Sequence, residues 1–307
     1  MRLRIGLLLL ARCLFLIVGG DVVAQKNDTL PPANPLIIQT EPNAIVWLDE
    51  IRRGLTDPSG KLAVTKISAG RHVLRVRASR FKEASMPLLP GRRGVVVVHL
   101  VRTSDGAELA FQQAEEARDK AKDDDARRQS AELYRRALKL RPAFVAARVG
   151  IARVMLDLNQ YQDALGEIEA ARRNRPVYAE ASAVEGRVYR EMAFADEAIK
   201  SFQRAIQEAR GFQPEAHVGL ARVYEERGQY AAATTEYQTA IKQLSDSEPV
   251  IYQLLGAVLE RQEKYKEAVA AYEQYLKLAP NGSLAPAIRS MIDQLRREAA
   301  GQGLSPN

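Results

Sequence analysis

Residues 220–240, LARVYEERGQYAAATTEYQTA, place small and bulky side chains at fixed intervals: Leu220, Ala221 and Tyr224, then Gly228 and Tyr230, then Ala233, Tyr237 and Ala240. The same places recur along the chain every 34 or 35 residues. Ala164, Ala198, Ala233 and Ala268 form one column, and Ala152, Gly186, Ala221 and Gly256 form another. A third, four residues beyond the first, is bulky: Tyr134, Ile168, Phe202, Tyr237 and Tyr272. Three columns in phase over four or five units predict a helix-turn-helix repeat. One such unit cannot bury its apolar face alone, so several must stack into a solenoid.

These residues resemble the tetratricopeptide repeat, a 34-residue pair of antiparallel helices, and residues 220–240 match it best. The resemblance implies that the small residues let the two helices approach and that the bulky residue fills the groove between units. It also implies a binding scaffold, a family role shared by many unrelated partners.

The start of the chain has another texture. Arg2 and Arg4 precede an apolar run from Ile5 to Val18, and Val22-Val23-Ala24 offers a small-residue cleavage site before Gln25. This is the pattern of an export signal. Its apolar run is short of the roughly 20 residues that span a bilayer, so cleavage is expected, with retention as an anchor the open alternative. Cys13 is the only cysteine, with Arg12 beside it in place of a small residue, which argues against lipidation. A mature chain without cysteine has no disulfide, catalytic thiol or thiolate metal ligand, and such a design suits a periplasmic or envelope protein.

After the proline-rich lead-in QKNDTLPPANP (residues 25–35), five short runs alternate with turn residues: LIIQT, AIVWLD, LAVTKI, HVLRVRA and VVVVHLV. Runs of this length between Pro, Gly, Asn and Asp predict a small all-β sandwich, with Trp47 in its core. Thr40-Glu41-Pro42-Asn43-Ala44, Val46-Trp47-Leu48-Asp49, a turn at Gly54-Leu55-Thr56 and Ile67-Ser68-Ala69-Gly70-Arg71-His72 follow one another in the order seen in the PEGA domain, which this segment resembles. Only Gly70 of the name-giving tetrapeptide is present. The resemblance implies a small extracytoplasmic module for attachment or protein contact.

The chain thus reads as a two-domain protein: a small all-β sandwich followed by an all-α helical-repeat solenoid. Its expected divisions are a leader (1–24), a linker (25–35), the PEGA-like sandwich (36–103), about five repeats (107–283), a capping helix (284–299) and a disordered tail (300–307). In the first repeat the stripe Phe111, Ala114, Ala117, Ala121 is followed by Asp123-Asp124-Asp125, which lacks the glycine and later Glu of a calcium loop and reads as a solvated helix terminus. The capping helix carries Ile288, Met291, Ile292 and Leu295 on one face.

Charge is unevenly divided. Residues 36–102 hold 12 Lys and Arg against five Asp and Glu, a net of +7, whereas the remainder beyond Arg102 is close to balanced. Arg75 and Arg77 share one face of a strand whose other face carries Leu74 and Val76. With Arg52 and Arg53 they form a basic surface that could dock on an anionic envelope surface; the alternative is a face that only keeps the sandwich soluble. Export and the absence of interleaved aromatics argue against nucleic acid.

Nothing in the sequence calls for a cofactor, a metal or a catalytic centre. His72, His99 and His217 have no metal-ligand spacing, and there is no nucleophile elbow, phosphate loop or dinucleotide fingerprint, so a non-enzymatic role is expected.

The inner face of the repeats is the remaining candidate site. With units counted from Val145, Ala179, Pro214 and Pro249, the resemblance assigns the second, fifth, ninth, twelfth and thirteenth positions to the groove. The ninth positions are Arg153, Arg187, Arg222 and Ala257, and the thirteenth are Asp157, Glu191, Glu226 and Arg261. Two readings follow: intrahelical ion pairs on a solvated face, or an arginine ladder for a carboxylate or an extended acidic peptide. Glu115 and Asp119 stand where chaperone-binding relatives carry their carboxylate clamp, so that activity is not implied. The function is accordingly read as an exported scaffold that recruits a protein or peptide, or as an accessory subunit of a secretion, outer-membrane or polysaccharide-processing assembly. The sequence leaves the oligomeric state open.

Overall fold

A computed structural model of the chain describes residues 35–49, 51–64, 67, 72–244 and 248–302. The expected leader, linker residues 25–34, turn residues 68–71 and the last five residues of the expected tail lie outside the described residues.

Among the described residues seven strands come first: β1 (Leu36–Gln39), β2 (Ile45–Leu48), β3 (Ile51–Leu55), β4 (Lys61–Val64), β5 (His72–Arg77), β6 (Ala84–Leu88) and β7 (Gly94–Val97). They form two sheets, in the orders β4-β1-β7 and β3-β2-β5-β6, with β1 and β7 parallel and the other described pairs antiparallel. Alternation sends Leu36, Ile38, Val46, Leu48, Leu74, Val76 and Val96 between the sheets, where all are buried.

Two strands were not expected. IRRGL in β3 carries two arginines and a glycine, and ASMPL in β6 carries a proline; both occupy sheet edges, where an interrupted ladder is tolerated. Gly54, expected in a turn, instead lies in β3 with φ 141°, beside a register shift between Val46 and Trp47. That is the geometry of a β-bulge, which favours glycine. Trp47 is not in the core. Its neighbours Val46 and Leu48 both point inward, so alternation places the indole on the outer face of the sheet, half-buried.

Helices follow in pairs: α1 (Gly106–Lys120) with α2 (Asp124–Leu140), α3 (Val145–Asp157) with α4 (Tyr161–Asn174), α5 (Ala179–Glu191) with α6 (Ala195–Glu208), α7 (Pro214–Glu226) with α8 (Tyr230–Gln243), and α9 (Pro249–Arg261) with α10 (Tyr265–Leu278). A last helix, α11 (Ala285–Gln302), packs on α10. The turns inside the last four hairpins share one left-handed residue, at Asn159, Ala193, Gly228 and Glu263, so the turn geometry repeats even where glycine does not. Asp123 caps α2, accepting from the Ala126 amide at 2.8 Å, and Asp124 and Asp125 lie in its first turn, where the helix dipole favours acids.

The columns of the sequence are the interior of this stack. Ala164, Ala198, Ala233 and Ala268 are fully buried, and so are Tyr134, Ile168, Phe202, Tyr237 and Tyr272. The rings lie against glycine backbone of the first helices: a Cβ on Gly150 would stand 2.4 Å from the Tyr134 ring, and one on Gly219 only 2.3 Å from Phe202. On α11 the buried stripe is Ala285, Ile288, Ile292 and Leu295, while Met291 is exposed, one step off the face expected for it.

Candidate functional site

First helices of successive hairpins pack on one another, α1 on α3, α3 on α5 and α5 on α7, and no two second helices approach to a like extent. The stack therefore curves with α1, α3, α5, α7 and α9 on its inner face.

On that face the ninth-position arginines meet acids of the next hairpin rather than of their own helix. Arg153 pairs with Glu180 at 2.6 Å and Arg187 with Glu215 at 3.5 Å, each glutamate standing second in its helix. Among the described residues none of Arg153, Arg187 and Arg222 pairs with the acid four positions on; Glu191 and Glu226 both meet Arg190 instead. Arg190 is an inner-face residue that sequence reasoning passed over, although the twelfth position is where it stands.

Arg153 is more enclosed than Arg187. Burial opposes its charge, but Glu180, Glu215 and Glu115 outweigh burial and hold the guanidinium above its ordinary range. Burial likewise works to raise the Glu180 carboxyl, yet Arg153, the Tyr178 hydroxyl and Arg75 bring it down to about 2.

The third arginine differs. The second position of α9 is Val250, half exposed, so Arg222 lacks the glutamate that its two counterparts hold. Arg222, Glu225, Glu226, Tyr230, Leu254 and Arg261 line a concavity of about 410 Å³. Glu225 accepts from the Tyr237 hydroxyl at 3.2 Å and Glu226 lies 3.7 Å from Arg190, whereas neither Arg222 nor Arg261 has a carboxylate within ion-pair distance among the described residues. A cavity with two uncommitted guanidinium groups and an apolar wall can take a carboxylate next to an aliphatic side chain.

The basic face of the sandwich is turned onto the helices. Arg77 is buried, donating from Nε to Glu83 at 2.8 Å and from Nη1 to Glu115 on α1 at 3.2 Å, with its guanidinium over the rings of Trp47 and Phe111. Burial opposes its charge, and Glu83 and Glu115 more than restore it. Arg75 stacks 4.2 Å from Trp47 and donates to Glu83, and Arg52 lies 3.5 Å from Asp119 on α1. Arg53 is desolvated, with Asp49 and Glu248 acting on it. Gln112 completes the contact, donating to the Phe81 carbonyl at 2.7 Å and accepting from the Arg80 amide at 2.9 Å. Sequence reasoning had noted Glu115 and Asp119 only for the activity they exclude; their service to Arg77 and Arg52 is a tertiary fact with no local signal.

Two of the three histidines have structural partners: His72 meets Asp49 at 2.5 Å and His217 meets Glu236 at 2.6 Å. Among the described residues no cluster of His, Cys, Asp and Glu is arranged to hold a metal ion, and no helix is long and apolar enough to cross a membrane.

Tetratricopeptide-repeat family models match residues 115–179, 150–191 and 212–281. No curated protein matches the chain. Among solved structures, the type IV pilus biogenesis factor PilW aligns with a TM-score of 0.55 at 15% identity, over 64% of this chain and 89% of its own. PilF of Pseudomonas aeruginosa gives 0.53 at 17%, over 65% and 89%. A thermophilic TPR protein of Thermus thermophilus gives 0.51 at 20%, over 62% and 98%. At these identities the likeness is one of fold. The family models and these structures agree that the helical part of the chain has the fold of a tetratricopeptide-repeat solenoid.

Proposed function

We propose that this solenoid recruits a protein through an extended acidic peptide seated on the fourth and fifth hairpins. One observation carries the reading. Val250 stands where Glu180 and Glu215 stand in the preceding hairpins, leaving Arg222 uncommitted beside Arg261, Leu254 and Tyr230. The peptide would set a carboxylate on the two guanidinium groups and an aliphatic side chain on Leu254. Of the other ladder residues, Arg153 and Arg187 with Glu180 and Glu215 would shape the groove, Glu226 would line the cavity while engaged by Arg190, and Asp157 and Glu191 would repel acidic ligands elsewhere along the groove.

The finer setting is also a proposal. Export rests on Arg2, Arg4, the apolar run to Val18 and the Ala24–Gln25 junction. The sandwich is taken as a PEGA-like module on the order of its motifs, with envelope contact on its exposed Lys61, Arg92 and Arg93 in place of the engaged Arg75 and Arg77. Nucleic acid is excluded on the ground of export. Cell fractionation tests this part: a chain found in the cytoplasm would remove both the envelope and the argument against nucleic acid.

Binding is tested with three fluorescent peptides, each containing one leucine and otherwise acidic, neutral or basic. The acidic peptide is expected to bind best, in a salt-sensitive way, and the variant with Arg222→Ala and Arg261→Ala to bind it at least about tenfold more weakly with an unchanged melting temperature. Equal binding of the acidic and neutral peptides, or full binding by the double variant, overturns the reading.

A further inference from the structure

The contact between sandwich and solenoid differs in kind from either interior. Their apolar cores do not merge: one cluster runs from Leu36 to Val98, and the helical cluster begins at Ala110. The contact consists instead of ion pairs, the two hydrogen bonds of Gln112 and the stacking of Arg77 on Phe111. Polar interdomain contacts of this sort separate readily, unlike a shared apolar core.

Its chemistry is also ordered. Arg75 and Arg77, two apart on β5, leave the sheet on one face, and Trp47 on the neighbouring strand packs beside both guanidinium groups. The solenoid answers with carboxylates from separate hairpins. Glu115 and Asp119 on α1 take Arg77 and Arg52, and Glu180 on α5 lies within the field of Arg75. Three of the twelve basic residues in 36–102, Arg52, Arg75 and Arg77, are thus turned towards acids of the inner face.

We propose that the inner face of the first three hairpins is a binding surface for arginine side chains spaced two apart on an extended strand. In this structure the chain's own β5 holds that surface as a tethered occupant, and a partner strand of the same chemistry displaces the sandwich from it. The proposal is independent of the acidic-peptide site on the fourth and fifth hairpins, because none of Glu115, Asp119 and Glu180 lines that cavity and the ligand charge is opposite.

The sole tryptophan reports on the contact, since Trp47 lies within it. In the full chain, raising NaCl from about 0.05 to about 1 M should shift Trp47 emission to the red, reversibly, while far-UV circular dichroism keeps its helical signal. At low salt a synthetic peptide of residues 72–78, HVLRVRA, should produce the same shift, and the version with glutamine for both arginines should not. The full chain carrying Glu115→Gln and Glu180→Gln should no longer bind the arginine peptide, whereas the chain with Arg75→Gln and Arg77→Gln, its own occupant weakened, should bind it at least about tenfold more tightly than the natural chain. Emission that stays fixed until the helices melt, or equal binding of the two peptides, overturns the proposal. Arg222→Ala should leave this binding untouched, which separates its failure from that of the acidic-peptide site.

Discussion

The two ends of the inner groove are made from the same repeat and differ by what stands second in each first helix. In the third and fourth hairpins a glutamate at that place takes the arginine of the hairpin before it; in the fifth, Val250 does not. The packing columns continue through both ends without change. Binding character therefore varies at positions that the scaffold does not use, and one side chain per hairpin decides whether an arginine is an internal strut or a ligand-binding group.

The shared scaffold is where the largest effect is expected. Phe202 is fully buried between Gly186 and Gly219, which have no side chains with which to fill the space it would leave. Phe202→Ala should cost about 3–5 kcal/mol and lower the melting temperature by about 6–20 °C, as measured by circular dichroism. The ends of the groove should fall together if the repeats unfold as one unit. A surviving C-terminal transition would show that the hairpins melt separately, as nearest-neighbour stacks can.

The next largest effect tests the contrast itself. Val250→Glu would supply at the fifth hairpin the acid that the third and fourth have. The introduced carboxylate should engage Arg222 and weaken acidic-peptide binding about tenfold, or about 1.4 kcal/mol, by isothermal titration. Val250 is half exposed, so little stability should be lost. Unaltered affinity would mean that Arg222 is not the group that binds the peptide.

Why some of this was legible in advance and some was not follows from the spacing of the causes. Tyr134, Phe202 and Tyr237 announce the fold because stacking requires the same volume at the same interval, and volume is visible in the sequence. The pairs Arg153–Glu180 and Arg187–Glu215 span 27 and 28 residues, a separation that only the repeat geometry closes, so the nearer acids four residues on drew the expectation. Comparing the second column, Glu180, Glu215 and Val250, was the available clue. Trp47 could have been placed from the alternation of Val46 and Leu48; its size suggested a core that the pleat denies it. Arg75 and Arg77 were correctly put on one face, but what covers that face is α1, some 38 residues later in sequence at Glu115.

Solution pH separates the ends by a smaller margin. Glu180 in the folded chain is held at about 2, against an ordinary 4.5. A depressed carboxyl contributes stability that is complete above about pH 4.5 and disappears as pH falls towards 2. Melting temperatures measured across that window should drop less steeply for Glu180→Gln than for the natural chain. At the alkaline limit the sign reverses. Burial, and then Glu115 or Glu260, raise Tyr134 and Tyr272 above the ordinary 10.0, so their contribution is complete below that pH and is lost as pH rises beyond it. An acid limb identical in the Glu180→Gln chain would mean that Arg153 does not hold that carboxylate.

The smallest expected change in stability is the most telling for the groove. Arg187 and Glu215 are each more than a third exposed, and a pair of that kind contributes about 0–1 kcal/mol. Glu215→Val should therefore shift the melting temperature by no more than a few degrees. It should nevertheless release Arg187 in the arrangement that Arg222 already has, next to a valine at the second place of the following helix. A chain altered in this way should gain a second, weaker site for the acidic peptide, seen as a stoichiometry rising from one towards two in titration. Arg187→Gln in the same chain should abolish that site and leave the first intact. If Glu215→Val adds no binding, an uncommitted arginine is insufficient, and Leu254 and Tyr230 of the last two hairpins must supply the rest of the recognition.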